Sequence, residues 1–139
     1  MIIIDATHLL IGRIATYVSK QILHGEEVSI VNSEKAIISG PRKRIVERYK
    51  EKVERGHPYA GPFYPRREDL ILKRAIRGMI PWKNSRGKEA FKRLKCYIGI
   101  PAELQGKKFE TIEKANANKL PNYKYLNLEQ LSLELRGKQ

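Results

Sequence analysis

Apolar positions along the chain fall into short β-branched runs and longer stripes of helical period. Ile2, Ile3 and Ile4 form one such run, closed by Asp5. Over residues 10–23, Ile11, Ile14, Ala15, Val18 and Ile22 recur on one side at the 3.6-residue period, which predicts an amphipathic helix that stops at His24-Gly25. Val28, Ile30 and Val31 make a second run and Ala36, Ile37 and Ile38 a third, separated by Asn32-Ser33-Glu34. The gap between these two is short, so their pairing is open. Alternation of strand and helix predicts parallel strands joined by right-handed crossovers.

Pro41 suits the first turn of a helix over 42–55, whose inner side is Ile45, Val46, Tyr49 and Val53. A loop rich in Pro, Gly and aromatic residues follows at 56–65. The helical pattern resumes over 67–79, with Ile71, Leu72, Ala75, Ile76 and Met79 on one face and Lys73, Arg74 and Arg77 opposite. Gly78 and Pro81 end it. Ser85 is a candidate N-cap for a helix to residue 94, with Gly87, Ala90, Phe91 and Leu94 inward. Residues 95–98 read as a fourth strand, 102–126 as polar sequence with little periodicity, and 128–135 as a short closing helix through Leu128, Leu131 and Leu135.

Charge sharpens this outline. The 139 residues, enough for one domain, carry 28 Lys and Arg against 15 Asp and Glu, a formal net of +13. Eighteen of those cations and only six of the acids lie within 42–95, so that segment alone holds +12. Thermophile surfaces are also charged, but with both signs interspersed. A one-sided excess on a chain that is 41% hydrophobic describes a folded binder of a polyanion.

The cations are distributed by element. On the 42–55 helix, Arg44, Arg48, Lys52 and Arg55 share one arc and Glu47, Glu51 and Glu54 the next, so the flank serves either phosphates or solvent. In the loop, His57, Phe63 and Tyr64 precede Arg66-Arg67; the rings either stack on bases and sugars or pin the loop to the core. Three like charges at Lys73, Arg74 and Arg77 are unfavourable without a polyanion. Arg86, Lys88, Lys92, Arg93 and Lys95 extend the surface.

Catalytic chemistry has no support in the sequence. There is no phosphate loop ending in Gly-Lys-Ser/Thr, and Gly12 stands alone where a dinucleotide fingerprint needs three glycines, so it reads as a close-packing or entry point of the first helix. His8, His24 and His57 have no metal-ligand spacing. Cys96, the single cysteine, cannot form an internal disulfide and reads as a buried small hydrophobe, which fits the cytoplasm. No apolar run is long enough to span a bilayer.

Ile4-Asp5-Ala6, Gly12-Arg13-Ile14-Ala15, Val31-Asn32-Ser33-Glu34-Lys35, Ser39-Gly40, Arg77-Gly78-Met79-Ile80-Pro81, Arg86-Gly87, Arg93-Leu94-Lys95 and Gly99-Ile100-Pro101 resemble, in order and spacing, the universal large-subunit ribosomal protein family L-thirteen. The loop Gly61-Pro62-Phe63-Tyr64-Pro65-Arg66-Arg67 looks like its archaeal and eukaryotic branch. The resemblance implies a three-layer α/β/α fold around a four-stranded, mainly parallel sheet, in a single domain (residues 1–139) with a core at about 1–101 and a loosely structured extension at about 102–139. It implies a structural, non-enzymatic constituent of the large ribosomal subunit in the cytoplasm. The partners would be large-subunit rRNA and neighbouring ribosomal proteins, with no cofactor, small-molecule substrate or membrane. The rRNA-binding candidates are Arg42, Arg44, Arg48, Arg55, His57, Tyr64, Arg66, Arg67, Lys73, Arg74, Arg77, Gly78, Trp82, Lys83, Arg86, Gly87, Lys88, Lys92 and Arg93. Gly78 and Gly87 would let the backbone approach a phosphate. The main competitor is a DNA-binding architectural or regulatory module, which net charge alone also fits; a small α/β enzyme rests on fold class only.

Overall fold

The computed structural model describes residues 1–116 and 124–136. Three parallel strands, β1 (Ile2–Asp5), β2 (Val28–Val31) and β4 (Leu94–Cys96), form a sheet with β2 in the centre. The register aligns Ile2 with Val28 and Val28 with Leu94. Side chains alternate across a strand, so Ile4, Val28, Ile30 and Leu94 share one face. Helices α1 (Ile11–Leu23), α3 (Glu68–Arg77) and α4 (Ser85–Lys92) cover it through Ile14, Val18, Ile22, Ile71, Leu72, Ile76 and Ala90, all buried. The period-3.6 stripes place these residues, and their burial supplies the main driving force for folding.

The opposite face differs from the expected helical layer. Ile3 and Val31 lie there under Leu104, Tyr97 and Phe109, part of an irregular segment with one 3-10 turn at Ala102–Leu104. Lys95 also points to this side and is exposed.

The third apolar run, β3 (Ile37–Ser39), does not join the parallel sheet, which corrects the four-stranded expectation. Only five residues separate β2 from β3, and Asn32 in the left-handed conformation (φ 55°) with the Ser33–Lys35 3-10 turn redirects the chain. A parallel crossover needs roughly a dozen residues. β3 instead pairs antiparallel with β5 (Tyr125–Asn127), Ile38 opposite Leu126. Asn127 then caps α5 (Leu128–Leu135), its Oδ1 accepting the Gln130 N–H at 2.9 Å. Leu126, Leu128, Leu131 and Leu135 join the same core as Ile45 and Tyr49 of α2 (Arg42–Glu54). The extension is therefore ordered in part, while 117–123 and 137–139 lie outside the described residues.

Asp5 locks the end of β1 to the turn after β2. Its Oδ1 accepts hydrogen bonds from Thr7 Oγ1 (2.6 Å), the Thr7 N–H (3.0 Å) and Asn32 Nδ2 (3.1 Å). Burial works to raise its pKa, but these donors and nearby Lys35 outweigh it and hold the carboxyl below its ordinary value.

Helix α3 ends at Arg77, short of the predicted residue 79. Two tight turns, Met79 N–H to Ile76 O and Ile80 N–H to Arg77 O, bring Ile80 into the core. Met79 was assigned to the inner stripe but is 46% exposed, because helical period loses its meaning once the helix has stopped. Of the two readings of Gly12 the structure keeps the entry point: it is the second residue of α1, exposed, and a Cβ there would meet nothing within 4 Å.

Candidate nucleic-acid interface

Helix α3 separates its charges by position. Glu68 and Asp69 stand in the first turn, where carboxylates favour the helix dipole, and both are buried. Arg136 pairs with Glu68 at 3.4 Å and Arg67 with Asp69 at 3.3 Å. The acids of this helix are thus consumed inward, and Lys73, Arg74 and Arg77 are left toward its C-terminal end.

Aromatic rings space these cations apart. The Arg77 guanidinium lies 4.5 Å from the Trp82 ring centroid, Trp82 meets Phe91 edge-on at 4.9 Å, and the Lys73 ammonium sits 5.1 Å from Phe91. On the other side Arg74 lies 5.6 Å from Tyr64, which contacts Tyr49 at 6.0 Å, and Lys52 faces both tyrosines at 4.8 and 5.5 Å. Two cation and aromatic ladders thus spring from one helix, each contact contributing about 0.5–1 kcal/mol at an exposed site. Between them is a cleft of about 330 Å³, lined by Phe63, Leu70, Trp82 and Phe91 among others. A shallower hollow of about 620 Å³ adjoins it, edged by Arg74, Arg77, Gly78, Trp82, Lys83 and Asn84.

Ion pairs among the described residues are Arg42–Glu134, Arg55–Glu51, Arg67–Asp69 and Arg136–Glu68. None uses a cation between Lys73 and Lys95. Lys83, Arg86, Lys88 and Lys92 are exposed, and Glu89 is the one acid on α4. The face running from α3 over the 79–84 turn onto α4 therefore carries uncompensated charge interleaved with rings. That is the arrangement a nucleic acid requires, phosphates meeting cations and bases meeting π faces.

The remaining sequence candidates divide by environment. Arg44, Arg48 and Arg66 are exposed, without an ion pair among the described residues. Arg42, Arg55 and Arg67 spend charge on internal carboxylates, and Arg93 donates to the Ile22 carbonyl at 2.7 Å, tying β4 to the end of α1. His57 is exposed, its Nδ1 accepting the Tyr59 N–H at 3.2 Å. Tyr64 pins the loop between α2 and α3; burial above all, then Tyr49, pushes its phenol up to about 12 against the pull of Arg74. Phe63 and Tyr59 point outward, 68% and 91% exposed. Gly78 is exposed, with only ordinary contacts at its Cβ position. Gly87 is buried, and a Cβ there would fall 2.0 Å from the Pro81 carbonyl oxygen. Its close approach is to the protein's own turn.

Lys52, Tyr49 and Phe91 complete the ladders yet were not among the candidates. Lys52 lay in the basic arc of its helix, which was the available signal. Burial, then the Arg48 and Arg55 charges, lowers its pKa, so this corner too is cation-crowded. Cys96 packs against the core but is half-buried where the sequence reading has it buried; desolvation pushes its thiol up to about 12, which disfavours the thiolate.

The closing helix holds the loop before α3. The buried Ser132 hydroxyl donates to the Arg66 carbonyl at 2.7 Å, beside the Arg136–Glu68 pair. Ser132→Ala is expected to cost about 0.5–1.5 kcal/mol. It should also increase amide exchange at Arg66 and Arg67 while leaving α1 unchanged, which hydrogen-exchange mass spectrometry reads directly.

Comparison with known proteins gives the family. The family profile "Ribosomal protein L13" matches residues 1–103. "Large ribosomal subunit protein uL13" of Archaeoglobus fulgidus is 45% identical over 138 residues, covering 97% of this chain and 88% of its own length. The proteins of the same name from Methanosarcina barkeri and Methanopyrus kandleri are each 47% identical, the first spanning 99% of both chains and the second 96% of this chain and 85% of its own. On a match of this extent the chain belongs to the ribosomal protein L13 family.

Proposed function

We propose that this protein is a structural constituent of the large ribosomal subunit that binds and stabilises rRNA through the α3 to α4 face, with neighbouring ribosomal proteins as further partners. It performs no catalysis and works in the cytoplasm as part of the ribosome. The observation that carries the assignment is the run of cations Lys73, Arg74, Arg77, Lys83, Arg86, Lys88 and Lys92, without an ion pair among the described residues and interleaved with Trp82, Phe91 and Tyr64. Family membership supports rRNA as the polyanion, and the names of the archaeal relatives assign those proteins to the large subunit. Gly78 on the rim of the hollow leaves room for a phosphate to approach the turn. Among the described residues no helix is long and apolar enough to cross a membrane.

Binding of the purified protein to deproteinised large-subunit rRNA should fall steeply with salt. If about six to ten phosphates are neutralised, affinity drops roughly 10³- to 10⁵-fold between about 50 and 200 mM salt. A flat salt dependence, or displacement of the rRNA by duplex DNA at equal nucleotide concentration, would reject this reading in favour of another binder.

A further inference from the structure

Outside residues 42–95 the net charge is only +1, so the sequence offers no second binding surface. Folding builds one nonetheless. Arg13, Thr16, Tyr17 and Lys20 occupy one side of α1 at i, i+3, i+4 and i+7. The 112–116 segment runs beside them, fixed by the Leu10 N–H bonded to the Ala115 carbonyl (2.8 Å) and by the Arg13 guanidinium donating to the Lys114 carbonyl (2.5 Å). A groove of about 570 Å³ opens between the two, lined by Arg13, Thr16, Tyr17, Lys20, Ile112 and Lys114. Three of these six are cations and none is an acid. None of the three takes part in an ion pair among the described residues.

The groove is continuous with the α3 to α4 face. The Thr16 hydroxyl lies 3.6 Å from the Met79 sulfur, and Met79 follows Gly78 directly on the rim of the basic hollow. Met79 is thus exposed at the seam between the two surfaces. The two cationic hollows meet at Met79, which suits one polyanion crossing both.

We propose that the groove between α1 and the 112–116 segment is a second nucleic-acid contact, taking phosphodiester backbone on Lys20, Lys114 and Arg13 with a base or ribose against Tyr17. The inference rests on the rRNA-binding reading above and extends it to a part of the chain that composition marks as scaffold. An acidic protein segment would meet the same cations, but continuity with the basic face favours RNA.

The test uses the full chain and deproteinised large-subunit rRNA from Archaeoglobus fulgidus. Lys20→Gln/Lys114→Gln removes two charges whose side chains make no hydrogen bond among the described residues, so the fold is retained. Lys107→Gln/Lys108→Gln, which lines neither hollow and is equal in charge, is the control, and Arg74→Glu/Arg77→Glu reports on the main face. The Lys20/Lys114 variant is expected to bind roughly tenfold more weakly, with a salt slope shallower by about 1.5–2, while the control stays within about twofold of the parent. Equal behaviour of the Lys20/Lys114 variant and the control, with the Arg74/Arg77 variant impaired, would overturn the groove and leave the main face intact. No loss in any variant would overturn both.

Discussion

Reversing the charges at Arg74 and Arg77 is expected to weaken rRNA binding by roughly 10²- to 10⁴-fold, because each charge-assisted contact contributes about 1.5–3 kcal/mol and each 1.4 kcal/mol is a factor of ten. Arg74 is exposed and Arg77 half-buried over Trp82, and neither has a carboxylate partner among the described residues. Folding therefore loses only the ring contacts to Tyr64 and Trp82, about 0.5–1 kcal/mol each. The melting temperature should fall by a few degrees at most while affinity collapses. An unfolded variant would show that these cations hold the structure together; a folded variant with parental affinity would remove α3 from the interface.

The second large effect needs no change of charge. Gly87→Ala places a methyl 2.0 Å from the Pro81 carbonyl oxygen, 2.5 Å from its carbon and 3.1 Å from the Trp82 nitrogen. Those atoms are backbone, so no rotamer change relieves the clash, and α4 must move off the turn. Overpacking of this kind costs about 1–3 kcal/mol or more. It should also separate Trp82 from Phe91 and Arg77, so stability and rRNA affinity fall together. Gly12→Ala is the contrast: with open space at Cβ and a helical position, it should be neutral or stabilising by about 0.4–1 kcal/mol. Thermal melts and binding isotherms of the two variants would separate packing from any general intolerance of alanine. Equal stability of Gly87→Ala and the parent would contradict the close approach of α4 to the turn.

Gly87 also shows where the sequence misleads. Its place in an Arg-Gly pair beside a basic turn points to a phosphate, but the space its missing side chain leaves is filled by Pro81. The helical stripes were legible because burial repeats every three or four residues, and Ile14, Val18, Ile71, Leu72 and Ile76 are buried as that period requires. The parallel direction of β1, β2 and β4 was legible from the alternation of short β-branched runs with helices, though not which strand lies beside which. β5 was not, since three residues carry too little alternation to be seen, and the pairing of its partner β3, open from the residues, was counted into the parallel sheet only by the resemblance. The cationic face was legible because its charge is one-sided within a single stretch of chain. What long-range pairing does to that charge was hidden: Arg42 meets Glu134 and Arg136 meets Glu68 across distances in sequence that no local pattern records. The α1 groove was hidden likewise, because Lys20 and Lys114 come together only in the folded chain.

The most direct test of the central claim is ultraviolet cross-linking of the protein within assembled large subunits, followed by mass-spectrometric mapping of the peptides that carry nucleotide. Cross-links concentrated on Phe63, Trp82 and the peptides between Lys73 and Lys92 are the expected result. Nucleotide confined to the opposite side of the sheet, on Lys95 and the segment holding Leu104 and Phe109, would contradict the account.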